Sequence, residues 1–393
     1  MKTSVLYQIN TPKPNKRFAL FELGFRPFFL FGALFSMIAL TFWALLLNGS
    51  SEFTPHGNII WWHAHEMLFG FTIAIVAGFL LTAVQNWTGI PSIKGHALTA
   101  LVMLWLIPRI LLLNDQWASF WMIMLLDLAF LPMVSFIMAH RVIKTKQWRN
   151  LPFSLVLFVL FLLNLMSYIG IVNDNFPLSL YAFEASVIAI SLIVALIASR
   201  VVPFFTEKAT NWQRKKSNPY LSIIANASLA FLIPLIFLNN GLLIQIVAAI
   251  AGTTLLCRWF SWGWQASFKN PLLWSLHFSY LCLPIGLLLI ATNYPLSSAL
   301  HCITVGTIGG MILSMMCRVS LGHTGRNLVT PKLMKYGFSL IIFGTLFRVI
   351  AQLTNHYLLL LDLSVLCWLL SFGLFIIHYT MILIQPRIDG KAG

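Results

Sequence analysis

Charged residues are scarce in this sequence, and acidic residues are the scarcest. Asp and Glu together number 10 among 393 residues, and the four charged residue types make up 9% of the chain. Soluble domains carry about a quarter of their residues as charged side chains, whereas here hydrophobic residues reach 59% and the mean hydropathy is +0.86. These proportions exclude a soluble fold and predict an all-α polytopic membrane protein.

Cysteine is also sparse, and its spacing carries no signature. The five cysteines lie in or beside apolar segments, and none forms a C-x-x-C pair: Cys257, Cys282, Cys302, Cys317 and Cys367. This pattern argues against a disulfide framework, a zinc knuckle and a covalent c-type haem site. The polar and basic first 26 residues lack an apolar core, so we expect the first membrane span to remain as its own anchor.

Apolar runs of roughly 20 residues, long enough to cross a bilayer, recur twelve times. They cover 27–47, 61–84, 96–113, 117–139, 152–172, 177–202, 219–238, 241–257, 272–291, 297–317, 333–353 and 357–384. We therefore predict a single twelve-helix membrane domain over 27–385, preceded by a segment 1–26 and followed by a tail 386–393.

Basic residues give the expected orientation. The net charge is +15, but Lys and Arg occur in short runs between apolar segments, which is typical of helix orientation rather than of nucleic-acid binding. With the N-terminus inside, all but Arg109 and Arg348 of the 25 basic residues fall in inner segments. Both termini are therefore predicted to be cytoplasmic.

Spans 2 and 10 match each other at an offset of about 236 residues, which places His65 on His301 and Gly70 on Gly306. Half of that offset leads to span 6, where Arg200 corresponds to Arg318. The spacing predicts three four-helix units near 27–145, 146–265 and 266–385. Chance similarity among apolar helices is the alternative.

The stretch 61–89 is the first candidate site, because His63, His65 and Glu66 stand at the mouth of an apolar run and polar groups are costly in lipid. Helical geometry puts His63, Glu66 and Met67 on one face and His65 nearly opposite. One metal ion cannot easily take both histidines from a regular helix. Either two sites exist, or one histidine has a packing role.

Other ionisable residues fall in the outer part of the membrane in the predicted topology. His301 and His65, at matched positions, could bind a metal or haem, or form interhelical hydrogen bonds. Arg109 and Arg348 could pair with Glu184 or Asp362, or hold haem propionates, and the residues leave both readings open.

The segment 318–326 is predicted to be a loop on the inner face. It brings Arg318, His323 and Arg326 together around two glycines. Such a loop could hold an anionic group through its amides and guanidinium groups, or it could be an ordinary basic turn.

Four motifs carry a family resemblance: LGFRPFF (23–29), WHAHEMLFGF (62–71), AGFLLTAVQNWTG (77–89) and RVSLGHTGR (318–326). Together they resemble the NnrS family. The resemblance implies a bacterial inner-membrane protein that contains haem b and copper and is associated with denitrification and nitric-oxide tolerance. It also implies nitric oxide as a ligand, an electron donor of unknown identity and a role in nitrosative stress, with nitric-oxide-metabolising oxidoreductase activity as one reading.

A more distant architectural likeness is to the catalytic subunits of haem-copper oxidases and nitric-oxide reductases. It implies a haem held by histidines of spans 2 and 10, here His65 or His63 with His301. Spans 6 and 7 carry no histidine, so a complete binuclear centre is not expected.

We predict haem bound by His65 and His301, with copper on the remaining histidine, methionine or cysteine atoms near the outer face. Two other functions stay open as alternatives. A proton-coupled transporter would use Glu66, Asp127 and Glu184. A non-catalytic partner or assembly protein would keep its metal content and stress tolerance after substitution of His65 and His301.

Overall fold

The computed structural model describes residues 18–50, 54–214 and 218–390 of the chain. Residues 1–17 of the predicted N-terminal segment and residues 391–393 of the predicted tail lie outside the described residues. Within the described ranges, every regular element is helical.

Twelve long helices follow the twelve predicted spans in order, which confirms the polytopic all-α fold. They are α1 (Phe25–Leu47), α2 (Ile59–Thr88), α3 (His96–Leu111), α4 (Phe120–Lys144), α5 (Leu151–Val172), α6 (Phe176–Ala209), α7 (Pro219–Phe237), α8 (Gly241–Phe260), α9 (Pro271–Ala291), α10 (Leu296–His323), α11 (Met334–Ile350) and α12 (Tyr357–Ile384). Eleven are long and apolar enough to cross a bilayer, whereas α3 has 16 residues, or about 24 Å of helix.

Asparagine marks the beginning of several helices. Its side-chain oxygen accepts a hydrogen bond from a backbone N–H of the first turn, which satisfies a donor that the helix itself leaves free. The residues with this role are Asn58, Asn175, Asn218, Asn240 and Asn270. At the other end of α2, Gly89 adopts a φ of 71°, a left-handed conformation that glycine takes at little cost. The apolar runs are thus delimited by local chemistry as well as by hydropathy.

Consecutive helices pack against each other, and α12 also packs on α1, so that the bundle closes. Three helices lie deepest. The buried share of the most apolar window is 78% in α2, 72% in α10 and 61% in α6, compared with 56% in α9, the next most buried. These three are the second helices of the three predicted four-helix units, although the repeat itself stays a prediction.

Two of the central helices contain a π-helical segment, in which each backbone hydrogen bond spans one residue more than in an α-helix and the turn is wider. Residues Glu66–Thr72 of α2 and Cys302–Gly309 of α10 adopt this form. Each segment begins directly after a histidine, His65 or His301, and the two starting positions differ by the same 236 residues as the sequence match. π segments inside α-helices are frequent at functional sites, so these two positions direct attention to their neighbouring side chains.

Candidate functional site

A cavity of about 540 Å³ lies among α1, α2, α6, α10, α11 and α12. The cavity lies at the helix ends that are joined by the α1–α2 and α9–α10 loops. These loops are on the predicted outer face of the membrane. Most of the lining is apolar, and two imidazoles, a carboxylate and a guanidinium group reach it, those of His63, His301, Glu184 and Arg348. Its size and its few polar groups are typical of a small-molecule or cofactor site.

His63 reaches this cavity from α2, and its ring is stacked on Trp43 of α1. The two ring centroids are 4.1 Å apart and the planes are inclined by 17°. No hydrogen bond from the His63 ring is seen within the described part of the chain. The stack therefore fixes the plane of the ring while leaving its nitrogens available to a bound group.

His301 reaches the same cavity from α10. Its Nδ1 donates a hydrogen bond to the carbonyl oxygen of Ser297 at 2.6 Å. Since a carbonyl oxygen can only accept, this contact places the proton on Nδ1 and leaves Nε2 with its lone pair. An oriented Nδ1–H is the arrangement that metal-bound histidines commonly show.

Arg348 of α11 is the cation of the cavity. Its Nη2 donates to Ser297 Oγ at 2.9 Å, and its guanidinium carbon lies 5.9 Å from the centre of the Tyr357 ring. Its buried Nη1 has no hydrogen-bond partner among the described residues. A buried donor without an acceptor is costly, and an anionic group in the cavity would satisfy it.

His65 points away from this cavity, as the opposite faces of a helix require. Its Nδ1 lies 2.8 Å from Glu66 Oε1, and its Nε2 lies 3.2 Å from Asp127 Oδ2 and 3.1 Å from Asn164 Oδ1. Trp61 stacks on the ring with centroids 4.5 Å apart. The structure therefore does not bring the favoured pair, His65 and His301, together at the cavity, which His63 and His301 line instead.

Arg109 of α3 completes this polar network. Its Nη1 donates to Glu66 Oε1 at 2.7 Å and its Nη2 donates to Asp127 Oδ1. The side chains of Arg109, Glu66 and Asp127 are 1%, 0% and 7% exposed. Pairing of Arg109 with Glu184 or Asp362 is one of the two readings that the sequence leaves open, beside propionate binding, and the structure shows two other carboxylates engaging Arg109 instead. Glu66, expected on the face of His63, is turned toward this guanidinium.

The network also supports the π segment of α2. Trp105 Nε1 donates to the carbonyl oxygen of Gly70 at 2.8 Å. A Cβ on Gly70 would lie 2.7 Å from Phe35 Cε1 and 3.1 Å from Arg109 Nη1. The wider turn and the absent side chain let Arg109 and Trp105 approach the backbone of α2.

The remaining outer candidates have separate positions. Met67 lines the cavity one turn after His63, on the predicted face. Glu184 lines it too, and also borders an adjoining cavity of about 240 Å³. Asp362 accepts a hydrogen bond from Asn48 Nδ2 at 3.0 Å near the outer surface, so it does not pair with Arg348.

The inner segment 318–326 is mostly helical rather than a loop, because α10 continues to His323. Arg318 stacks over Phe205 at 3.6 Å, and Arg387 donates to the carbonyl oxygen of His323 at 2.9 Å. The hydrogen bond from Arg387 to Asp389 raises the pKa of Arg387, while burial lowers the pKa of Arg326. These groups lie at the end of α10 opposite to the cavity.

Within the described ranges, no three His, Cys, Asp or Glu side chains converge with the spacing of a metal site. The possible donors at the cavity are the two histidines, Glu184 and Met67. Sequence reasoning did not find Trp43 and Asn164 as site residues. The sequence does mark Asn164, because it is a lone amide within the apolar run of span 5. Nothing in the sequence marks Trp43.

Comparison with known proteins assigns the chain to a family. No curated protein matches the sequence. A model of the NnrS family, described as NnrS protein, matches residues 19–387, a range that includes all twelve helices, both π segments and the cavity. The chain therefore belongs to the NnrS family.

Proposed function

We propose that this multi-pass membrane protein binds haem b in the cavity and protects the cell against nitric oxide. Membership of the NnrS family connects the chain with nitric oxide at the level of the family. The observation that carries the haem proposal is that His63 and His301, on two central helices, line one cavity of about 540 Å³.

Three side chains fit the demands of this group. Among the described residues, no hydrogen bond occupies the ring nitrogens of His63 or Nε2 of His301, and a buried N–H of Arg348 has no partner, which suits it to a propionate. Bound haem b would supply a one-electron redox centre that could exchange an electron with nitric oxide. The protein's part is to fix the ring of His63 through Trp43 and to keep water out with apolar walls.

Glu184 is the carboxylate within reach of the cavity, and its contact with the second cavity suggests a role in holding a proton. The second cavity is bordered by Tyr181, Gln245, Asn293 and Tyr294, whose polar groups could hold water near the predicted outer face. Nitric oxide, small and apolar, can enter through the lipid itself. Protons need polar groups, and this arrangement supplies them at one side of the cavity.

Copper has weaker support. Met67 is the soft donor at the cavity, of the kind that favours copper, but the described residues hold no convergent group of three ligands of the His, Cys, Asp or Glu type. We therefore propose no step that uses copper.

We further propose an inner-membrane location with cytoplasmic termini, on the basis of the basic residues in alternate loops. The proton-coupled transporter stays as the second candidate, and it depends on Glu184, because Glu66 and Asp127 are held by Arg109.

The test uses purified protein in lipid nanodiscs. Addition of nitric oxide to the reduced protein should change the visible spectrum, and a strain lacking the gene should regain nitric-oxide tolerance with the wild type but not with His63→Ala. A haem-loaded protein that does not respond to nitric oxide, together with full tolerance from His63→Ala, would contradict the proposal. Substrate uptake by haem-free vesicles would favour the transporter.

A further inference from the structure

Two cysteine thiols meet where α9 packs against the π segment of α10. Cys302 Sγ donates to the carbonyl oxygen of Cys282 at 3.4 Å, so the thiol of one residue touches the backbone of the other. The two residues are far from a C-x-x-C spacing, so their spacing does not predict a pair. The fold brings them together.

The backbones of the two helices are unusually close at this point because each contributes a glycine. A Cβ on Gly306 would lie 2.7 Å from Cys282 Sγ, and a Cβ on Gly286 would lie 2.5 Å from Ile303 Cγ1. A disulfide requires Cα atoms separated by about 4.4–6.8 Å, which ordinary helix packing at 8–10 Å between axes does not easily supply. Glycines on both helices allow a closer approach at this contact.

The other cysteines have different surroundings. Cys317 is buried, Cys257 is exposed, and Cys367 is buried beside Gly344. Cys282 is half-buried, and Ile285, less than one turn further along α9, is 40% exposed on the surface that would face lipid. A membrane-soluble reagent can therefore approach Cys282, while Cys302 stays shielded behind it.

We propose that Cys282 and Cys302 form a reversible dithiol–disulfide pair, a two-electron centre directly adjacent to His301. Oxidation breaks the two S–H bonds and forms one S–S bond, and it releases two protons and two electrons. A lipid-soluble quinone takes up both electrons and both protons and becomes the quinol. The pair would tie α9 to the start of the π segment that follows His301.

The test maps disulfides in the full-length protein, in a Cys257→Ser background that removes the exposed thiol. The protein in nanodiscs is incubated with a short-chain ubiquinone analogue, alkylated with N-ethylmaleimide, digested and analysed by mass spectrometry. We expect a linked peptide joining Cys282 to Cys302, two fewer alkylated cysteines per molecule, and one quinol formed per link. Dithiothreitol should restore both thiols.

Two single variants give the matched comparison. Cys302→Ser should abolish quinol formation and leave Cys282 open to alkylation, whereas Cys367→Ser should behave like the parent protein. Full alkylation of Cys282 and Cys302 in the quinone-treated parent protein would overturn the proposal, as would a link from either residue to a different cysteine. Because the parent protein alone decides this outcome, a variant that fails to fold does not affect it.

Discussion

Replacing Arg109 with methionine should strongly destabilise the protein, because two buried carboxylates would lose their cation. Glu66 and Asp127 are 0% and 7% exposed, and both accept from Arg109. Removing one partner of a buried ion pair typically costs about 3–5 kcal/mol, since the remaining charge stays buried and uncompensated. We expect at least that loss here, and methionine has enough length to fill most of the space.

The assay is equilibrium unfolding in mixtures of detergent and SDS, followed by circular dichroism. Arg348→Met is the matched control, because Arg348 lies at a similar depth but donates to a hydroxyl rather than to a carboxylate, so its loss should cost about 0.5–1.5 kcal/mol. Adding Glu66→Gln and Asp127→Asn to Arg109→Met should recover most of the stability. If Arg109→Met unfolds within about 1 kcal/mol of the wild type, the buried ion-pair network would be refuted.

Three further predictions concern the cavity and the π segment. Gly70→Ala should lower the midpoint of thermal unfolding, because its Cβ would lie 2.7 Å from Phe35. Gly373→Ala is the control: its Cβ would lie 3.6 Å from the nearest atom, so the change should be neutral or stabilising by up to about 1 kcal/mol. Trp43→Leu should reduce haem content measured by pyridine haemochrome, because it removes the stack on His63, and normal haem content would show that the stack has no such role. Glu184→Gln should keep normal haem content but weaken the pH dependence of the haem midpoint potential in a redox titration, and an unchanged pH dependence would contradict proton holding by this carboxylate.

The twelve helices could be predicted because each is an uninterrupted apolar run delimited by Asn, Gly or basic residues, and hydropathy reports this pattern directly. Helix periodicity also separated His63 from His65 correctly. The structure places one in the cavity and the other in the polar network, on different sides of α2.

The partners of His65 could not be predicted, because they come from distant parts of the chain. Asp127 and Asn164 are 62 and 99 residues away, and their approach depends on how α4 and α5 pack on α2. The match between spans 2 and 10 favoured His65 as the partner of His301, but a residue offset carries no information on which face a partner occupies. The same limit explains Glu66, which turns toward Arg109 rather than toward the face of His63.

The contact between Cys282 and Cys302 shows a similar limit at shorter range. Twenty residues separate the two thiols, and their meeting depends on glycines at 286 and 306 that let two helices approach closely. In a sequence these glycines cannot be distinguished from other small residues in apolar helices. The segment 318–326 differs from the predicted loop for a local reason. Its glycine at 322 does not interrupt α10, which ends at His323.

The most direct test of the central claim is the reduced-minus-oxidised visible spectrum of the purified protein beside three single variants. We predict a b-type haem signal in the wild type, its loss in His63→Ala and His301→Ala, and its retention in His65→Ala, whose side chain lies in the ion-pair network rather than at the cavity. A signal that survives in His63→Ala and disappears in His65→Ala would contradict this assignment, and a colourless, well-folded wild-type protein would contradict haem binding altogether.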